Sequence, residues 1–421
     1  FIVNSKIKDL LFFSLILLTG LAFTYLRQPS AFHPPQLFAE DGVIWITHAY
    51  EEDFKDIVLR PEAGYNNIVA RITAEIAILA GLKHAPKAFF IVALIIHLLP
   101  VLLIFTKRLS DVFPDLKTKV VIALIYLALP DVSDLHLTFS NSQWRFSFVL
   151  FLVFIAQKPK ERIVSTLDLL VIAVGSLMGP FSIFLLPGAV LYAYFQKVRF
   201  TTYKLMILAI GALIQLFAIV SSMGVRPGIL EIGASLEGFT RIIAGKLFAS
   251  TLFGHTGYSW LYAQPWWGLS LTLSLTILTS IIFAYGFIRG SRELKLFIFF
   301  TAIASASALI KPTVGMHAPA WLIIENPDTA PRYWLGIHLA FILVLGFLAM
   351  NSSKINLSFI THTSRFLLCL LPIGIYLDWR LKDLTPLPYK QACKLFKKSP
   401  VGTIGHFPIQ PPGYEFRLKK K

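Results

Sequence analysis

Apolar stretches, several of them long enough to cross a bilayer, recur from one end of the chain to the other. The first is Leu10–Leu26, followed by Ala88–Phe105, Val120–Leu129, Phe146–Ala156, Leu167–Met178 and Phe181–Tyr194. Leu205–Met223, Leu269–Phe287, Leu296–Ile310, Trp334–Met350 and Phe366–Tyr376 complete the series. A helix needs about 20 apolar residues to cross roughly 30 Å of hydrocarbon. In that medium each backbone amide must be satisfied within its own segment, so helices are the economical solution. The chain is therefore expected to be all-α, a polytopic transmembrane helical bundle. Only 15% of its residues are charged, against about a quarter in soluble domains. Residues 1–377 read as one membrane module and 378–421 as a basic tail. Two cysteines, Cys369 and Cys393, supply no disulfide framework.

The charge pattern orients the runs. Lys6 and Lys8 precede the first, and no small-residue cleavage site follows it, which reads as a retained span with its N-terminus inside. Four short loops are basic: Lys107 to Lys119, Lys158 to Arg162, Lys197 to Lys204, and Arg289 with Arg292. Placing all four on the cytoplasmic side leaves Asp131–Arg145, Gly179-Pro180, Val225–Trp267 and Lys311–Arg332 outside. Keeping the first loop, Arg27–Tyr65, outside as well requires that Tyr65–Leu82 not cross fully. That stretch carries Arg71 and Glu75 at the spacing of a helical ion pair. About eleven crossings result, plus one interfacial or re-entrant helix, with twelve or thirteen as alternatives. The basic tail then falls outside. The net charge of +16 is spread around apolar segments, which fits contact with anionic lipid and phosphate rather than nucleic acid.

Unusual polar residues gather in the outer segments. Glu40 and Asp41 are adjacent in Phe38-Ala39-Glu40-Asp41-Gly42, and Gly42–Leu59 has the imperfect amphipathic pattern of an interfacial helix. The pair can be ordinary first-turn acids meeting a helix dipole, or reacting groups. They can also share a divalent metal, Mg²⁺ or Mn²⁺. Asp131 and Asp134 are followed by Asn141, Gln143, Trp144 and Arg145. These make either a solvated loop with an anchored indole or a hydrogen-bonding wall for a sugar. Arg332 and Tyr333 open a late run. Such an Arg either snorkels to headgroups or grips a phosphate with its two-pronged guanidinium. Arg226, Arg241, Lys246 and His255 belong to a long outer segment with a second interfacial pattern.

Four features in this order resemble the GT-C superfamily of polyprenyl-phosphate-sugar-dependent membrane glycosyltransferases, bacterial envelope members in particular. They are Phe38–Gly42; Gly64-Tyr65 followed by Arg71; Leu129-Pro130 followed by Asn141 and Trp144; and Arg332-Tyr333 before a late span. The resemblance implies an acidic catalytic residue in the first outer loop, which is Asp41 or Glu40 here. It implies a lipid-phosphate-sugar donor held by Arg332, Tyr333 and Arg71, and a sugar or acceptor contacted by Tyr65, Asn141, Gln143, Trp144 and Arg145. It further implies a glycan or lipid acceptor, membrane lipids as surroundings, and an extracytoplasmic site on a bacterial inner membrane. The chain departs from the pattern in having no recognisable acceptor-binding module. No glycine-rich nucleotide motif is present, which favours a lipid-linked donor over a nucleotide sugar. A polysaccharide polymerase and a lipid-linked sugar flippase are the other classes open to such a chain. No internal repeat of the transporter kind is evident.

Overall fold

The computed structural model describes residues 5–62, 64–222, 231–312, 314, 318–351 and 358–421. Arg226 and the side chain of Lys6 lie outside the described residues. Among the described residues, seven helices are long and apolar enough to cross a membrane: Ile7–Arg27, Leu82–Ile104, Arg199–Ser221, Leu269–Arg289, Arg292–Ile310, Pro331–Met350 and Ser358–Leu377. Shorter apolar helices, Leu116–Ala128, Ser142–Ile155, Arg162–Ser176 and Phe181–Gln196, pack among them. The chain is thus an all-α polytopic bundle, as its apolar runs require. Ser142–Ile155 is buried along nearly its whole length, so it is the central post against which the outer helices close.

Hydrogen bonds to helix ends define two poles. At one, Arg27 donates to the carbonyls of Leu127 (2.9 Å) and Asp378 (3.2 Å). The Asp378 carboxylate accepts from the backbone of Asp131 at 3.0 Å and of Thr256 at 3.1 Å, opposite the helix break at Gly254. At the other pole, Lys204 donates to the carbonyls of Val153 (2.7 Å) and Ala156 (2.8 Å). There Arg108 also pairs with Asp168. A buried Lys beside two carbonyls is satisfied without a carboxylate, which lowers the cost of its burial.

Tyr65–Leu82 resolves into a helix over Ile68–Leu79, started by the Asn67 side chain accepting from Ala70 N at 3.2 Å. Twelve residues rise about 18 Å, too little to cross. The expected Arg71–Glu75 pair is replaced. Arg71 donates to His48 Nδ1 at 2.7 Å, meets Glu62 at 3.7 Å and lies 4.8 Å from the Trp45 ring centroid. The loop before the helix folds back over Arg71, and the half-buried Glu62 carboxylate it brings close competes better than an i+4 partner facing elsewhere.

The basic tail is an ordered module. Helix Tyr389–Lys398 buries Tyr389, Cys393 and Phe396 against an antiparallel hairpin, Ile404–Ile409 with Tyr414–Lys419. Phe407 and Phe416 are paired in register and stack at 4.9 Å. The module docks on the first long loop: Ala39 N donates to Gln410 O (2.7 Å) and Gln410 N to Leu37 O (2.8 Å). It therefore lies at the same pole as Glu40 and Asp41.

Candidate active site

The loop carrying the two acids is tightly fixed. Ala39 has φ +34°, a conformation that L-residues seldom adopt. The chain then winds as a π-helix from Asp41 to Ile46, a distortion found mostly as single turns and often at functional sites. Asp41 is 1% exposed. Its Oδ2 accepts from Phe38 N at 3.0 Å and its Oδ1 from the Ser140 hydroxyl at 2.6 Å. Burial pushes its carboxyl up to about 7; the Ser140 and Phe38 hydrogen bonds oppose this, and the neighbouring Glu40 charge adds to it. Gly42 is obligatory, because a Cβ there would sit 2.4 Å from the Phe416 ring of the tail hairpin. Glu40, by contrast, is exposed.

Tyr65 is where the site residues meet. Its hydroxyl accepts from Gln143 Nε2 at 2.9 Å. Burial raises its pKa, the Gln143 hydrogen bond opposes the rise, the Glu40 carboxylate adds to it and the Arg332 guanidinium again opposes. The charges of Glu40 and Arg332 thus both reach one phenol. Arg332 donates to Asp134 Oδ2 at 3.2 Å, and its guanidinium lies 5.0 Å from the Tyr333 ring centroid. Trp144 packs 5.3 Å from Tyr333 and 4.8 Å from Phe181, forming an aromatic wall.

The turn before Arg332, the Asn141 amide and a lysine from a further segment hold this arrangement. Ala330 is left-handed at φ +50°, which turns the chain into Arg332. Lys246, on a second π-helix over Ile243–Ala249, donates to Pro327 O (2.9 Å) and Thr329 O (2.7 Å) and so pins that turn. The Asn141 amide holds the carbonyl of Asp134 at 2.8 Å.

No family model matches the chain, and no curated protein matches it. Among solved structures it is similar to the arabinofuranosyltransferase AftD from mycobacteria, with 14% identity and a TM-score of 0.42. The alignment covers 87% of this chain and 26% of that one, so the chain spans about a quarter of that protein's length.

Of the expected site residues, Tyr65 and Gln143 are hydrogen-bonded, Trp144 packs on Tyr333 and Arg332 lies beside Tyr333, while Glu40 is exposed on the Phe38–Gly42 loop. Asn141 braces the neighbouring loop. Arg145 turns inward: its Nε donates to Leu135 O at 3.2 Å and its guanidinium lies 5.4 Å from the Tyr126 ring centroid. Arg71 sits behind the loop with His48 and Glu62. Ser140 and Asp134 hold the two charged centres in place. Asp134 belongs to a visibly polar stretch, whereas nothing marks Ser140 in the sequence. Toward a divalent ion shared by the pair, both Asp41 oxygens are enclosed and accept hydrogen bonds from Phe38 and Ser140, and Glu40 alone of the two is exposed. Among the described residues, no group of three His, Cys, Asp or Glu is arranged to hold a metal.

Proposed function

We propose that the protein is a membrane glycosyltransferase that moves a sugar from a polyprenyl-phosphate donor to an envelope glycan or lipid acceptor, at the extracytoplasmic face of a bacterial inner membrane. The observation that carries the reading is the cluster in which Gln143 bonds Tyr65 at 2.9 Å, Trp144 packs 5.3 Å from Tyr333 and the Arg332 guanidinium lies 5.0 Å from that ring, with the exposed Glu40 carboxylate on the Phe38–Gly42 loop. In the proposed reaction Glu40 takes the proton of the acceptor hydroxyl as its oxygen bonds to the anomeric carbon. The bond from that carbon to the phosphate oxygen breaks, and its electron pair leaves with the lipid phosphate. Arg332 stabilises the phosphate charge, with Tyr333 beside it. Trp144 and Tyr333 offer apolar ring faces to the sugar, and Gln143 with Tyr65 offers donors and acceptors.

The structure favours Glu40 over Asp41 as the base on access alone: Asp41 is enclosed and spends its oxygens on the loop. One observation supports the opposite order. A carboxyl raised to about 7 is well matched to base work near neutrality. The activity is tested by incubating purified protein with candidate polyprenyl-phosphate sugars and scoring release of lipid phosphate. Failure to consume any such donor, while the folded protein binds them, would remove the reading. The side is tested with single cysteines at Glu40, Asn141 and Arg332, which should react with an impermeant thiol reagent in intact spheroplasts.

A further inference from the structure

A groove of about 810 Å³ runs between the start of the Leu82–Ile104 span and the tail helix Tyr389–Lys398. Lys83 and Lys87 reach it from the span; Lys390 and Lys394 reach it from the tail helix. Each pair has i,i+4 spacing, so each helix presents two ammonium groups on one side. All four are exposed, none is ion-paired among the described residues, and no carboxylate is among the lining residues. His33 and His84 add ring nitrogens. Four like charges facing one cavity repel one another unless an anion joins them.

The floor of the groove is apolar. Phe32 and Phe90 line it with ring centroids 5.0 Å apart, Tyr25 continues the ring ladder from Phe32 at 5.3 Å outside the lining, and Ile91 in the lining is 43% exposed. Aromatic rings at the end of an apolar span mark headgroup depth. The tail helix is held to this span by the Tyr389 hydroxyl donating to Leu82 O at 2.9 Å. From Asp378 to Lys421 the chain has ten Lys and Arg against three carboxylates, the pattern that draws a segment to an anionic membrane surface.

We propose that this groove binds the phosphate headgroup of an anionic phospholipid, with its acyl chains lying along Phe90 and Ile91. A soluble anion would use the lysines and leave the ring ladder idle. The polyprenyl-phosphate donor is not the proposed occupant: Glu40, Tyr65 and Arg332 are all absent from the lining, so a phosphate held here does not touch the reacting groups. The bound lipid would fasten the tail module to the membrane. Because the tail hairpin backs the Phe38–Gly42 loop, the lipid would also brace the candidate active site. The binding itself does not depend on the proposed activity.

The test uses the full chain purified in detergent. Its thermal midpoint is measured with phosphatidylglycerol, with phosphatidylcholine of the same acyl chains, and with soluble glycerol phosphate. Native mass spectrometry counts retained lipid. Phosphatidylglycerol should raise the midpoint by several degrees and remain bound, and the other two should not. K83Q/K87Q and K390Q/K394Q should each lose at least half of the rise. K397Q/K398Q, on the same helix but outside the groove, should keep it. An equal rise with phosphatidylcholine, an equal rise in the K83Q/K87Q/K390Q/K394Q protein, or full reproduction by glycerol phosphate would each overturn the proposal.

Discussion

The hydroxyl of Ser140 donates to the carboxylate of Asp41 across 2.6 Å, tying the first long loop to the turn that starts the central helix. Among the described residues Asp41 has no side-chain partner of positive charge, and burial raises its carboxyl to about 7. The folded state therefore holds a proton on Asp41 at pH values where the unfolded chain has released it. Stability from this group is fully present below about pH 4 and is lost as pH rises through about 7. Between pH 5 and 8 the thermal midpoint of the wild type should fall more steeply than that of Asp41→Asn. Parallel slopes would mean that Asp41 does not titrate in this window.

Ser140→Ala tests the same link from the other side. Leaving this buried carboxyl without its hydroxyl partner should cost about 1–3 kcal/mol of stability and should reduce turnover by loosening the loop beside Glu40. A chemical-denaturation curve shifted by less than a few tenths of a kcal/mol would make the contact incidental.

The tail hairpin and the acidic loop are also in direct contact. Gly42→Ala places a methyl group 2.4 Å from Phe416, and overpacking of this kind typically costs about 1–3 kcal/mol. Phe416→Leu in the same chain should recover part of the loss by vacating space. Additive losses in the double variant, read from the same denaturation curves, would show that the two residues do not press on each other.

Much of this architecture was legible in the chain. Every apolar run falls in a helix, because a span has little freedom to hide its composition. Tyr65–Leu82 was expected to stop short of crossing, and the Ile68–Leu79 helix does so. The partner of Arg71 was not legible: Glu75 has the right spacing, but Glu62 and His48 reach Arg71 through a loop that folds back. The hairpin had a signal that composition masked. Tyr414 to Lys419 alternates polar and apolar residues, and Pro411-Pro412-Gly413 supplies a turn, the combination expected of a strand pair. The abundance of Lys and Arg around it hides that signal. At the site, the acids, amides and aromatics stood out as polar groups in an apolar chain. Their division of labour did not, because the exposure of Glu40 and the enclosure of Asp41 depend on Ser140 and Gln410, roughly a hundred and several hundred residues away.

Arg332 should act on the donor rather than on folding. Arg332→Ala should raise the KM for a polyprenyl-phosphate sugar by ten-fold or more, about 1.4 kcal/mol, with little change in thermal midpoint. Arg332→Lys should restore only part of the affinity, since an ammonium cannot form the two parallel bonds of a guanidinium. An unchanged donor KM in Arg332→Ala would assign this side chain to the Asp134 contact alone.

The central claim is that Glu40 removes the acceptor proton. Single-turnover release of lipid phosphate from saturating polyprenyl-phosphate sugar, compared between wild type and Glu40→Gln, addresses it directly. The amide is nearly isosteric and the position is exposed, so folding and donor binding should persist while the rate falls by about 10²–10⁴-fold, the usual worth of a general base. A Glu40→Gln protein that keeps a third of the wild-type rate, with donor bound, would contradict the account.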